Sequence, residues 1–209
     1  MRQRITQAHS GLDHKEWQKI KSLKTPQRAQ DFVNALKFDF GDGDEIDRSV
    51  RGILKSGKAD CVGGAVLAAA ALWTQGWPPR LLDITTTKHD YYHVLALFKE
   101  GKYWGAISKT NHGVLRYREP IYKSVRELAM SYFHEYFLSN GRKTMRSFSA
   151  PFDLSKHGTA WFTNAESLID IIDLLDRSRH TRVASPRQIR RFRRADKVER
   201  VAGEITEYP

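Results

Sequence analysis

Apolar positions along this chain change their period twice, from helical to alternating and back. Trp17, Ile20 and Leu23 stand at helical steps in an otherwise polar stretch and predict a short amphipathic helix. Thr25-Pro26 opens a better one by the N-cap and first-turn proline rule, with Ala29, Phe32, Val33 and Leu36 as its apolar face. The run Phe40-Gly41-Asp42-Gly43-Asp44 reads as a solvated turn, because it lacks the alternating ligands and distal glutamate of a calcium loop. From Asp47 a short helix carrying Val50, Ile53 and Leu54 leads to Asp60-Cys61. Past Gly63-Gly64, residues 65–73 are apolar on every side, which marks a helix inside the core. Gly76 caps it and Pro78-Pro79 stops it.

Then the period becomes two. Residues 81–87 are β-branched and strand-like, 93–98 form a second strand, and 103–108 a third; the last two make a hairpin around 99–102. Beyond Asn111-His112-Gly113, the helical spacing of Val125, Leu128, Ala129, Tyr132, Phe133, Tyr136 and Phe137 predicts one helix, closed by Asn140-Gly141. These aromatics, with Tyr91, Tyr92 and Trp104, are expected in the core. Arg116, Arg118 and Glu119 before Pro120 read as a solvated loop. A further helix around 167–175 precedes a basic segment. The order gives an α+β fold, a buried cysteine helix packed on an antiparallel sheet with extra helices at both termini. Residues 1–180 form a single domain and 181–209 a basic C-terminal segment.

The composition narrows the class. Of 209 residues 40% are hydrophobic and 28% charged, ordinary for a globular protein. No apolar run approaches the roughly 20 residues of a membrane span, and the basic start Met1-Arg2-Gln3-Arg4-Ile5 has no apolar segment behind it. Neither a membrane nor a secretory signal is expected, and the location expected is cytoplasmic. The single cysteine excludes an internal disulfide and suits a reducing compartment. The net charge of +11 suggests an anionic partner, and six of the positive charges fall within residues 187–197. Arg190, Arg191, Arg193 and Arg194 form the candidate anion-binding set, for weak contact with nucleic acid or another polyanion. No zinc, RNP or helix-turn-helix signature accompanies them. A solvated basic helix, packed through Ile189, Phe192 and Val198, is the plainer reading of the same residues.

A lone cysteine is most often an inert small hydrophobe. Cys61 has a more specific setting, ahead of two glycines at the start of a helix. There, unpaired backbone N–H groups favour a thiolate, and small neighbours let a substrate approach. A base is also needed. His93 opens a strand expected to lie against that helix, with its side chain on the face of Leu95 and Leu97. Ser108 and Asn111 stand near the end of the partner strand, either one placed to orient the imidazole. His89 and His93 could instead suggest a metal pair, but the segment reads as loop into strand; no metal or other cofactor is expected.

Residues 57–80, with Cys61, Ala65 and Leu67 on a helix leading to Gly76-Trp77-Pro78-Pro79-Arg80, resemble the cysteine helix of transglutaminase-like proteins. The strands 93–98 and 102–108 resemble that superfamily's histidine strand and its following G-x-W-x-x-x-D strand. The likeness spans roughly residues 50 to 112, about a third of the chain. It departs at Ser108, where the superfamily has aspartate, and at Val94-Leu95, where an aromatic usually follows the histidine. The resemblance implies a papain-like thiol site: Cys61 as nucleophile, His93 as base, Ser108 or Asn111 behind the ring. It implies acyl transfer from a peptide or amide substrate through a thioester, with water as the default acceptor. The alternative is a non-catalytic module of the same fold that holds an anionic partner on its basic surface.

Overall fold

The computed structural model describes residues 4–41, 48–164 and 168–208. The turn expected at 40–44 and the helix starts expected at Asp47 and Ser167 fall partly or wholly outside them. Three helices open the chain: α1 (Gln7–Ser10), α2 (His14–Lys21) and α3 (Pro26–Ala35). Asp13 and Glu16 form a capping box on α2, and Thr25 Oγ1 accepts from the Arg28 N–H at 3.2 Å to start α3. Short strands β1 (Lys37–Phe38) and β2 (Lys58–Ala59) pair in parallel and flank α4 (Val50–Ser56).

The central helix α5 (Cys61–Thr74) begins four residues earlier than the apolar run. Asp60 makes the difference. Its carboxylate accepts from the Gly63 N–H at 2.8 Å, which satisfies one orphan donor and places Cys61 in the first turn. From Val62 onward nearly every side chain is buried, with α2, α3 and α4 on one side and the sheet on the other.

Seven strands make that sheet: β3 (Arg80–Thr85), β4 (His93–Glu100), β5 (Tyr103–Ile107), β6 (Arg118–Tyr122), β7 (Ser147–Ser149), β8 (Phe152–Asp153) and β9 (His180–Arg182). The order is β6-β5-β4-β3-β7-β9 with β8 also on β3, and every pairing is antiparallel. The protein is α+β. Four short helices complete it: α6 (Val125–Met130), α7 (Ile169–Asp176), α8 (Pro186–Ile189) and α9 (Lys197–Gly203).

Both faces of β4 are buried, so its apolar run could not reveal which face meets which layer. The structure makes the assignment. The helix α5 packs on Val94, Ala96 and Phe98, together with Leu81 and Ile107. Leu95 and Leu97 face the second layer, under α6 and the aromatics Tyr132, Phe133 and Tyr136.

The helix expected through Phe137 stops at Met130. Arg118 Nη2 donates to the Ser131 carbonyl at 3.3 Å, and a 3-10 turn (Phe133–Glu135) follows. Tyr136 is then extended, and its carbonyl accepts from Thr144 N–H at 3.1 Å. The 116–120 segment is not wholly loop, since β6 includes Pro120; as an edge strand it tolerates the missing donor. Tyr91 is 88% exposed and Tyr92 is 41% exposed, on the loop before β4 rather than in the core. The basic segment is two short helices, not one. Phe192 anchors it edge-on to Phe133 at 5.1 Å, whereas Val198 is exposed instead of packed.

One glycine brings this scaffold to the site. A Cβ at Gly64 would overlap Lys109 Cβ and lie 3.1 Å from its Cγ. Its absence lets the chain after β5 cross α5 one turn from Cys61. Gly64→Ala would gain about 1 kcal/mol of helix propensity. Overpacking against the root of a buried side chain costs about 1–3 kcal/mol and should outweigh that gain. A melting temperature lower than wild type by several degrees is expected; an equal or higher one would contradict the close crossing.

Candidate active site

Cys61 and His93 reach one cavity of about 480 Å³ from different layers. The thiol comes from the first turn of α5 and is partly exposed. The imidazole comes from the first residue of β4 and is 5% exposed, the only buried one of the eight histidines. Phe38, Val114, Tyr136 and Phe137 give the cavity much of its apolar wall, and Phe40, Tyr91 and Tyr92 stand exposed at its edge.

The hydrogen bonds behind the ring decide which nitrogen is available. His93 Nε2 lies 2.7 Å from Ser108 Oγ, and Ser108 Oγ donates to the Leu115 carbonyl at 2.5 Å. A hydroxyl has one proton. With that proton directed at Leu115, the serine accepts from Nε2–H, so the lone pair of the neutral ring resides on Nδ1. This is the tautomer that a thiol proton acceptor at Nδ1 needs. Burial pushes the imidazole pKa down to about 4, with His112 and Arg118 adding to the depression and the Leu115 carbonyl opposing it. At neutral pH the ring is therefore uncharged.

Ser108 is itself held rigidly. The Gln30 side chain accepts from Ser108 N–H at 2.9 Å and donates to the Ser108 carbonyl at 2.8 Å, a two-pronged clamp from α3. Lys109, next in the chain, is buried and donates to the Leu36 carbonyl at the C-terminal end of α3. Leu115 is the one described non-glycine residue with a positive φ, at 60°. Its N–H donates to Glu135 Oε2 at 2.6 Å, and Arg118 holds that carboxylate by an ion pair of 2.5 Å. Backbone strain at Leu115 is thus matched by a chain of contacts that aims its carbonyl at Ser108.

Asn111 is engaged elsewhere. Its amide donates to the Tyr208 carbonyl at 3.0 Å and accepts from the Tyr208 N–H at 2.9 Å. With Gly113 N–H on the Ile205 carbonyl at 2.7 Å, this fastens the C-terminal tail along the cavity rim. Of the two expected candidates, Ser108 hydrogen-bonds the imidazole, while the Asn111 amide is held by the tail. His112 is an exposed rim residue. Among the described residues, no cluster of three His, Cys, Asp or Glu side chains could hold a metal ion, and no helix is long and apolar enough to cross a membrane.

Arg190, Arg191, Arg193 and Arg194 are exposed. Arg193 is partly neutralised by Asp196 at 3.3 Å and Glu199 at 3.4 Å. None of the four lines the cavity.

No family model matches the chain, and no curated protein matches it. Among solved structures, Legionella pneumophila LapG (EGTA-treated) is similar at 12% identity, over 73% of this chain and 90% of that one. The TM-score is 0.38. So loose a superposition supports no functional inference, and the chemistry rests on the residues themselves.

Several of those residues were not singled out from the sequence. Gln30 left a signal, a polar side chain beside Ala29 and three residues before Val33 in an apolar stripe. Leu115 and Glu135 left none, and Tyr136, expected in the core and buried there, gave no sign that it also lines the cavity.

Proposed function

We propose that the protein is a thiol acyl-transfer enzyme, a peptidase or amidase working through a thioester on Cys61. The observation that carries the reading is the shared cavity: the only thiol and the only buried histidine both line it, and that histidine has Nε2 on Ser108. The step expected is attack of Cys61 Sγ on an amide carbonyl carbon while His93 Nδ1 takes the thiol proton. The tetrahedral species collapses, the leaving amine receives the proton from His93, and water then releases the acid. Ser108 is a positioning residue, fixing tautomer and ring angle. Cys61 stands in the first turn of α5, where the helix dipole favours a thiolate.

The test uses p-nitrophenyl acetate, an activated ester that requires no knowledge of the natural substrate. Release of nitrophenolate should be saturable, with an acetyl group found on Cys61 by peptide mapping, and should vanish in Cys61→Ala. Equal release by wild type and Cys61→Ala would remove the thiol from the mechanism.

The exposure of Arg190, Arg191, Arg193 and Arg194 in one run favours a second reading, a surface for a polyanion. Removing phosphate contacts weakens binding to all sequences alike and flattens its salt dependence. A fluorescent single-stranded oligonucleotide should bind at low salt. Replacing all four arginines by Gln should lower affinity at least tenfold and flatten the salt slope. Unchanged binding would place any polyanion contact elsewhere.

A further inference from the structure

Residues 205–208 lie antiparallel against residues 111–113, with Thr206 opposite His112. Gly113 N–H donates to the Ile205 carbonyl at 2.7 Å, and Glu207 N–H donates to the Asn111 carbonyl at 2.8 Å. The Asn111 side chain adds a two-point clamp, donating to the Tyr208 carbonyl at 3.0 Å and accepting from the Tyr208 N–H at 2.9 Å. On the side of residues 205–208, all four bonds use backbone atoms.

The side chains of that segment contribute little. Ile205 is 61% exposed, and Thr206 and Glu207 are exposed as well. Among the described residues its one ion pair is Glu207 with Arg116 at 3.9 Å, where both side chains are over a third exposed and water screens the attraction. The edge therefore reads a chain by N–H and C=O groups, which any extended peptide carries. This is the chemistry of strand addition. Exposed hydrogen bonds contribute little net stability, because water or another strand can replace them, so such a segment is readily exchanged.

The place of the edge gives that exchange a use. Asn111 and His112 line the same cavity as Cys61 and His93. Gly203, the last residue of α9, lines it too, and a Cβ there would lie 2.7 Å from Phe137 Cζ. The root of the segment is thus closely packed on the cavity wall, while the part beyond it is held through its backbone.

We propose that the edge at residues 111–113 docks the main chain of an extended polypeptide, and that residues 205–208 are its displaceable internal occupant. The thiol acyl-transfer reading enters only in naming that polypeptide as the substrate. It makes the substrate an extended segment, held beside the cavity with little regard to its side chains. Only hydrogen bonds are exchanged when it replaces residues 205–208.

The test is made in Cys61→Ala protein, so that cleavage cannot interfere, with the segment released by Glu207→Pro and Tyr208→Pro. These changes remove two N–H donors and leave residues 111–113 intact. The probe is the capped peptide Gly-Glu-Ile-Thr-Glu-Tyr-Pro, the sequence of residues 203–209, followed by NMR. It should shift the Gly113 N–H and Asn111 side-chain amide signals of the released protein. Without the two prolines it should bind at least about tenfold more weakly, because the tethered segment competes at high effective concentration. Methylating the peptide nitrogens of Glu207 and Tyr208 should abolish binding. The peptide carrying Thr206→Ala and Glu207→Ala should keep its affinity within about threefold, as main-chain recognition requires. Absent shifts in the released protein, or equal binding with and without the prolines, would overturn the docking edge. So would binding that survives methylation or is lost with the alanine peptide. Such a failure leaves acylation of Cys61 by p-nitrophenyl acetate untouched; shifts in a protein that the ester never acylates would keep the edge and remove only the enzyme reading.

Discussion

His93→Ala is expected to slow alkylation of Cys61 by iodoacetamide about 10²-fold at pH 7, the lower end of what a positioned base contributes. His93→Gln, which better preserves volume, should do nearly the same. The pH dependence carries the more specific expectation. An imidazole pushed down to about 4 by burial keeps its lone pair throughout the range in which an ordinary histidine becomes protonated. The histidine-dependent part of the wild-type rate should therefore not lose its base near pH 6.5; that loss should come only towards pH 4. A rate that follows protonation of a histidine near 6.5 would contradict the buried position of His93.

The same burial links to stability, and the sign can be worked out. Between about pH 4 and 6.5 the unfolded chain holds a proton on residue 93 that the folded chain does not. Stability from this residue is thus present at pH 7 and lost as pH falls through that window. Asp83, whose carboxyl burial pushes up to about 6, has the opposite dependence between 3.8 and 6, because the folded chain binds the extra proton. The wild-type profile mixes the two, so the informative quantity is the difference from His93→Gln. On going from pH 7 to pH 5, the variant should gain about 2 kcal/mol on wild type, or roughly 4–8 °C in relative melting temperature.

Ser108→Ala should lower acylation of Cys61 by about 10²-fold while leaving the sulfur in place. The substitution removes the acceptor for Nε2–H and the donor to the Leu115 carbonyl together. The neutral ring is then free to put its proton on Nδ1, the wrong tautomer for taking one from a thiol; loss of tautomer control is among the most damaging changes a thiol or serine site can suffer. A structural defect alone would lower rate and stability together without regard to chemistry. Ser108→Thr keeps the hydroxyl and should recover most of the rate, and that recovery separates positioning from packing. Equal rates in Ser108→Ala and wild type would show that the ring needs no orienting partner.

The parts legible in the sequence were those with a local cause. Thr25-Pro26 is a cap whatever surrounds it, the hairpin of β4 and β5 follows from a short turn between alternating runs, and an all-apolar helix must be buried. Cys61 and His93 were nameable because each opens such an element. Other features depend on distant partners. The parity of β4 was hidden because both its faces are buried, so Val94 and Leu95 look alike as a pattern. The break after Met130 requires Arg118 to occupy the Ser131 carbonyl, and nothing in the helical spacing of Tyr132, Phe133 and Tyr136 announces it. The choice of Ser108 over Asn111 rested on the tail, since Tyr208 engages the asparagine from nearly a hundred residues away.

The claim on which all this depends is that a sulfur from one layer and an imidazole nitrogen from the other act on the same carbonyl. A crystal structure of the protein treated with a peptide aldehyde tests it most directly. The account predicts a covalent bond from Cys61 Sγ to the aldehyde carbon, with His93 Nδ1 facing the adduct and Nε2 still on Ser108. An unmodified sulfur, or an adduct with Nδ1 turned away from it, would contradict the account.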